Sequence, residues 1–204
     1  MIPRWPVPKV STVWSWEEIP ELPPFQLADG SGPALQQTRA RLCWDDGALH
    51  VRFDCEDRDA WGTFQRRDDP IWQEEAVEIF LAPYTETPAR YFEFEVSPLG
   101  VLFDAFIHNP TSQRKDMVGD PSWDCPGIRW AAGKGTLRQD WWAELSIPWA
   151  GIFPVGGPPD TWRANLYRIE RPRDGDAEFS CWSPTLTQPA DFHKPVRFGL
   201  LELG

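Results

Sequence analysis

Apolar residues recur at every second position in seven short stretches: LHVRFDC (49–55), AVEIFLA (76–82), YFEFEV (91–96), GVLFDAFI (100–107), WWAELSI (141–147), WRANLYRI (162–169) and FGLLEL (198–203). Successive side chains of an extended strand point to opposite faces, so each stretch predicts a strand with one face turned to a core. No long run shows helical periodicity. Turn-forming clusters separate the strands, supplied by 22 prolines and 15 glycines. This spacing predicts an all-β fold, an antiparallel β-sandwich of immunoglobulin-like or jelly-roll-like type, with residues 1–204 as a single domain. Residues 1–36 hold seven prolines and read as an extended lead-in that packs over the sandwich through Trp5, Trp14 and Trp16.

The alternation also assigns faces. Val77, Ile79 and Leu81 point one way and Glu78 and Phe80 the other. In the next strand Phe92, Phe94 and Val96 share one face, and Tyr91, Glu93 and Glu95 the opposite one. If these strands are neighbours, Glu78, Glu93 and Glu95 meet on one side of the sheet. Upstream, Asp46-Gly47 is a two-residue hairpin signal that sets Trp44 opposite Leu49 and Leu42 opposite Val51. Leu49, Val51, Phe53 and Cys55 then face the core, with Cys43 on the other side. Cys43 and Cys55 are therefore predicted not to bond to each other. With Cys125 and Cys181 they show no CxxC spacing, which argues against a zinc knuckle or a redox pair.

Charge narrows the partners. The chain has 31 acidic and 20 basic residues, a formal charge of −11, which opposes binding to phosphate backbones, so no nucleic-acid partner is expected. No segment reaches 18 uninterrupted apolar residues, so no membrane partner is expected. The N-terminal MIPRWPVPKV does not read as a signal peptide. Compartment and oligomeric state are left unassigned.

The segment RDDPIWQEEAVEIFLAP (67–83) places Trp72 among carboxylates just before a strand. Asp69 followed by Pro70 reads as the N-cap and first position of a short helical turn, which puts Trp72 at the rim of the acidic face. Of the 13 tryptophans, Trp44, Trp130, Trp141 or Trp142, Trp149 and Trp162 lie in or beside strand patterns and read as core. Trp61, Trp72, Trp123 and Trp182 have polar or turn-forming neighbours. A rigid aromatic beside hydrogen-bonding groups suits the apolar face and polar rim of a pyranose. Asp57, Asp59, Asp68 and Asp69 offer oxygen ligands, but no EF-hand spacing orders them and the metal site is left unknown.

The ordered blocks WDDGALHVRFDCED, RDDPIWQEEAVEIFLAP, YFEFEVSPLGVLFDA, WRANLYRIERP, CWSPTL and FHKPVRFG resemble carbohydrate-binding module family 9, in its stand-alone bacterial branch, over residues 38–204. The resemblance implies an antiparallel sandwich that holds the end of a glucan or xylan chain, or a small oligosaccharide, between two tryptophans without catalysis. It also implies structural calcium. Carried over by position, the clamp is Trp72 and Trp182, facing each other across a gap, with Glu78 as an acidic sugar contact. Where glucan-binding relatives carry an arginine, this chain has Glu93 and Glu95. Asn165 and Arg168 on the following strand then stand as replacement donors.

Two other classes remain open from the residues. Glu93 and Glu95, with Cα atoms about 6.5 to 7 Å apart, could place their carboxyls at the separation of an inverting glycosidase. A b-type haem could use Met117 with His108, His193 or Lys115 as axial ligands.

Overall fold

The computed structural model describes residues 1–204 except residues 12, 136–139 and 154. In chain order its strands are β1 (Arg4–Val7), β2 (Gln26–Leu27), β3 (Thr38–Trp44), β4 (Ala48–Glu56), β5 (Ala76–Pro83), β6 (Arg90–Val96) and β7 (Leu102–His108). They continue as β8 (Val118–Asp120), β9 (Arg129–Lys134), β10 (Asp140–Pro148), β11 (Thr161–Glu170), β12 (Glu178–Cys181) and β13 (Gly199–Leu203), with one short helix, α1 (Trp149–Ile152). All seven stretches of period-two alternation coincide with strands, with Gly100, Val101 and Phe198 lying just ahead of theirs.

The strands form a two-sheet sandwich. The smaller sheet runs β3-β4-β10-β9, and the larger runs β1-β13-β11-β5-β6-β7-β8 with β12 and β2 attached beside β11. Pairing is antiparallel except at one edge, where β1 lies parallel to β13 with Arg4 opposite Leu200 and Val7 opposite Leu203. The proline-rich lead-in is thus part of the sheet. Its first strand tolerates Pro6 because an edge strand needs donors on one side only. The β3–β4 hairpin turns at Asp46-Gly47 with Leu42 opposite Val51 and Trp44 opposite Leu49. Asp45 Oδ1 closes the turn by accepting from the Gly47 and Ala48 amides at 2.8 and 2.9 Å.

Between the sheets, Leu42, Leu49, Val51, Phe53, Cys55, Leu145 and Ile147 of the small sheet meet Val77, Ile79, Leu81, Phe94, Val96, Leu102, Leu166 and Leu201 of the large one. Trp141, Trp149 and Trp162 are buried here, and truncating an indole in such a core costs about 3 to 5 kcal/mol. Trp130 is instead 37% exposed on β9, with its indole donating to the Gly100 carbonyl at 3.0 Å. Trp123, in a turn, packs on Phe92 with ring centroids 4.9 Å apart. All four cysteines are free and buried.

The outer face of the large sheet is divided. Over β11 and β6 a second apolar cluster forms, with Phe80, Tyr91, Tyr167, Ile169, Phe192 and Phe198 buried. The segment 183–198 lies across it as a strap. Tyr167 donates to the Phe192 carbonyl at 2.9 Å, Asn109 to the His193 carbonyl at 3.1 Å, Arg163 to the Phe198 carbonyl at 2.6 Å, and the Tyr91 hydroxyl meets His193 Nδ1 at 2.8 Å. The rest of that face, over β5, β6 and β7, is left open.

Candidate ligand-binding cleft

The open part is a cleft of about 760 Å³. Its floor holds Glu78 of β5 and Glu93 and Glu95 of β6, with Phe103, Ala105 and Ile107 of β7. Register sets this arrangement: Glu78 lies opposite Glu95, and Glu95, Glu93 and Tyr91 lie opposite Phe103, Ala105 and Ile107. One wall comes from the strap residues Thr187 to Lys194, another from Arg114 to Pro121, and Arg171 and Phe179 close an end.

Trp72 stands at the rim, 37% exposed. It sits on a single 3₁₀ turn, Ile71–Gln73, anchored by the buried Ile71, and its ring packs edge-on against Phe103 at 4.7 Å. The predicted helical turn is present, but its cap differs. Asp69 turns back to accept from the Gln65 and Arg66 amides at 3.2 and 3.0 Å, and Pro70 takes the cap position without a side-chain bond.

Glu78, Glu93 and Glu95 are 2, 6 and 1% exposed, and each offers an oxygen within 4.8 Å of the others. Among the described residues the one basic group within ion-pair reach is His193, whose Nε2 is 3.8 Å from Glu93 Oε1. Burial, then the neighbouring carboxylates, push Glu78 and Glu95 well above the usual carboxylate range. Burial lifts Glu93 to about 7. Burial, helped by the Arg114 charge, holds His193 down at about 3. At neutral pH Glu78 and Glu95 therefore retain their protons, Glu93 is close to its midpoint, and the imidazole is neutral.

Three sequence-derived positions lie elsewhere. Trp182 is 4% exposed and belongs to the core between the sheets. Gly199 is what makes room for it, since a Cβ there would come within 2.5 Å of the indole ring. The two tryptophans therefore do not oppose each other across a gap: SCWSP looks polar, but those neighbours bond backward to β11 and the strap. Asn165 is fully buried under the strap. Its Oδ1 accepts from the Ser183 amide at 2.9 Å and its Nδ2 donates to the Ser183 carbonyl at 2.8 Å. Arg168 points to the sandwich interior, donating to Asp57 at 2.7 Å, to Glu170 at 2.5 Å and to the Glu56 carbonyl. Neither side chain lines the cleft.

The alternative chemistries are also altered. Glu93 and Glu95 oxygens within 4.8 Å lie closer than the roughly 6.5 to 9.5 Å carboxyl separation that admits the water of an inverting mechanism. Met117 and His193 both line the cleft, whereas Lys115 and His108 do not and are exposed.

The four aspartates grouped by sequence are separated in space. Asp57 belongs with Glu75, Glu170 and Arg168, and Asp68 with Asp104, Asp124 and Arg67. Asp59 accepts from the Arg173 amide at 3.0 Å. In each of these acidic clusters a guanidinium already occupies the centre and takes carboxylate oxygens, so neither donor set suits calcium, which takes 6 to 8 oxygen ligands. Glu75 nonetheless has both carboxyl oxygens buried without a partner, and burial, then Asp57, raise it to about 10.

Sequence reading missed the cleft's Phe103, Phe179, Phe192, Arg114 and Arg171, and offered His193 and Met117 only as haem ligands. Phe103 was accessible to it, because antiparallel pairing places every second β7 residue beside Glu93 and Glu95. The strap residues carry no local periodicity that would reveal which face they cross.

Known proteins share this architecture. A crystal structure of a candidate carbohydrate-binding protein from Bacteroides uniformis superposes with a TM-score of 0.77 at 18% identity, covering 99% of both chains. A carbohydrate binding module family 9 from Caldicellulosiruptor kristjanssonii, solved with glucose and with cellotriose, gives a TM-score of 0.64 at 16% identity. It covers 98% of this chain and 95% and 93% of the two solved chains. A protein from Arthroderma benhamiae named "Extracellular protein" is 32% identical over 142 residues, spanning 65% of this chain and 63% of its own length. The family model described as carbohydrate family 9 binding domain-like matches residues 9–204, and the chain belongs to that family.

Proposed function

We propose that the cleft binds carbohydrate non-covalently, taking a chain end or short oligosaccharide on one aromatic platform, Trp72, above the acidic floor of Glu78, Glu93 and Glu95. The observation that carries this reading is Trp72 itself, an indole held half out of the protein by Phe103 and Ile71 at the lip of a cleft large enough for a sugar ring. A pyranose laid on the indole would cover its apolar face and direct hydroxyls to the floor, where protonated carboxyls donate as well as accept. Phe179 and Phe192 supply further apolar surface in the lining, in place of a second tryptophan. The solved family 9 modules that hold glucose and cellotriose support a saccharide of that size.

Calorimetric titration with cellotriose tests the reading. Trp72→Ala is expected to weaken binding by more than about 1 kcal/mol with an unchanged melting temperature. Equal affinity in wild type and Trp72→Ala would refute the platform.

A further inference from the structure

The three floor glutamates raise a question that a neutral sugar does not answer. Buried carboxyls ordinarily have a hydrogen-bonded or charged partner. Here Glu95 is 1% exposed, lines the cleft, and has Oε2 without any partner. No arginine or lysine among the described residues comes within ion-pair distance of any of the three, and the one cation whose charge acts on them, Arg114 at the rim, lowers Glu78 and Glu93 without touching either. Among the described residues the other two acidic clusters each enclose a guanidinium, and this one holds no arginine or lysine at its centre. The positive charges around the rim are already engaged: Arg114 and Lys194 both turn to Asp191, at 3.7 and 3.3 Å, and Arg171 lies over the Phe179 ring at 5.2 Å.

We propose that the missing cation belongs to the ligand, and that the cleft selects saccharides carrying a protonated amine, with the ammonium seated among Glu78, Glu93 and Glu95 and the sugar body on Trp72. An ammonium has three N–H donors, and the site offers three carboxyl groups with oxygens mutually within 4.8 Å. A bare divalent cation fits less well. It requires six or more oxygens in the case of calcium, and the floor beside the glutamates continues as Phe103, Ala105 and Ile107, which supply apolar surface and no side-chain oxygen. That surface suits an organic body attached to the charge. The inference rests on the carbohydrate reading of the cleft and sharpens it to amino sugars.

The test compares ligands that differ only at the amine. Calorimetry at neutral pH is run with a glucosamine trimer, its N-acetylated counterpart, cellotriose, and calcium chloride alone. The glucosamine trimer is expected to bind at least about tenfold tighter than the two uncharged trimers, because a seated ammonium favours the ionised form of Glu93, already near its midpoint at neutral pH, and a charge-assisted hydrogen bond is stronger than its neutral equivalent. The preference is expected to weaken with added salt and to shrink in Glu93→Gln and Glu95→Gln, both checked for folding by thermal melting. Acetylation alters the ligand and leaves the protein intact, so this arm holds even if a variant fails to fold. Equal affinity for all three trimers would overturn the ammonium assignment and leave the carbohydrate reading standing. Binding of none of them would overturn both. Calcium that binds alone and blocks the glucosamine trimer would assign the floor to a metal and overturn the amine.

Discussion

Trp72 and Trp182 have similar polar neighbours in sequence and opposite fates in the fold, and the difference is measurable one residue at a time. Trp182→Ala empties a site against Gly199 in the core and is expected to lower stability by about 3 to 5 kcal/mol, read by urea denaturation. Trp72→Ala acts on ligand affinity and leaves that curve in place. Glu75 offers a different single-residue test. Its carboxyl is buried without partners and raised to about 10, so it stays protonated where the unfolded chain would ionise. Glu75→Gln supplies a permanently neutral group of the same shape and is expected to stabilise the protein at pH 8 while changing little at pH 4, as followed by melting temperature. Most of the acidic floor was legible from residue alternation, because Glu78, Glu93 and Glu95 keep strict strand parity. The same rule, applied to Asn165 and Arg168, separates them: three apart on one strand, they point to opposite faces. Only Asn165 shares the outer face, and the strap covers it there.

At the scale of elements, the strap over residues 183–198 determines where the sheet stays open. β11 gives half of one edge to β13 and half to β12, and the strap crosses between these two strands. Asn165 is the latch, with one amide bonding both backbone groups of Ser183. Asn165→Ala leaves those groups buried and unsatisfied, an expected cost of about 1 to 3 kcal/mol. Faster hydrogen exchange at the Ser183 amide would be its signature, with weaker ligand binding as the wall bearing Phe192 and His193 loosens. An unchanged exchange rate would show that Tyr91, Asn109 and Tyr167 hold the strap without it. Strands, hairpin register and the sandwich were readable because their signal is local. The strap was not, because a covering segment is defined by contacts with distant residues and its own sequence has no period.

For the whole molecule, the direction of pH dependence follows from the buried acids. Glu78, Glu93, Glu95, Glu75 and Glu170 all have folded values raised above the ordinary carboxylate range, Glu93 and Glu170 to about 7. The folded state holds protons that the unfolded chain releases, so their contribution is complete below about pH 4.5 and is lost as the pH rises, through about 7 for Glu93 and Glu170. His193 works the other way. Held down at about 3, it costs stability as the pH falls below its ordinary value of 6.5. Five acids against one imidazole put the expected maximum of stability on the acidic side of neutrality. Guanidinium denaturation at pH 5 and pH 8 checks this: a higher midpoint at pH 8 would contradict it.

The parallel pairing of β1 with β13 has a mechanical side. Arg4 enters the ladder at the end where Leu200 begins it, and Val7 and Leu203 leave together at the other. Tension between the two terminal strands therefore pulls along the ladder in shear, loading its rungs at once where an antiparallel pairing of the same two strands would unzip them one by one. A module joined to its neighbours through these strands would give way abruptly, at high force, and hold its shape until then.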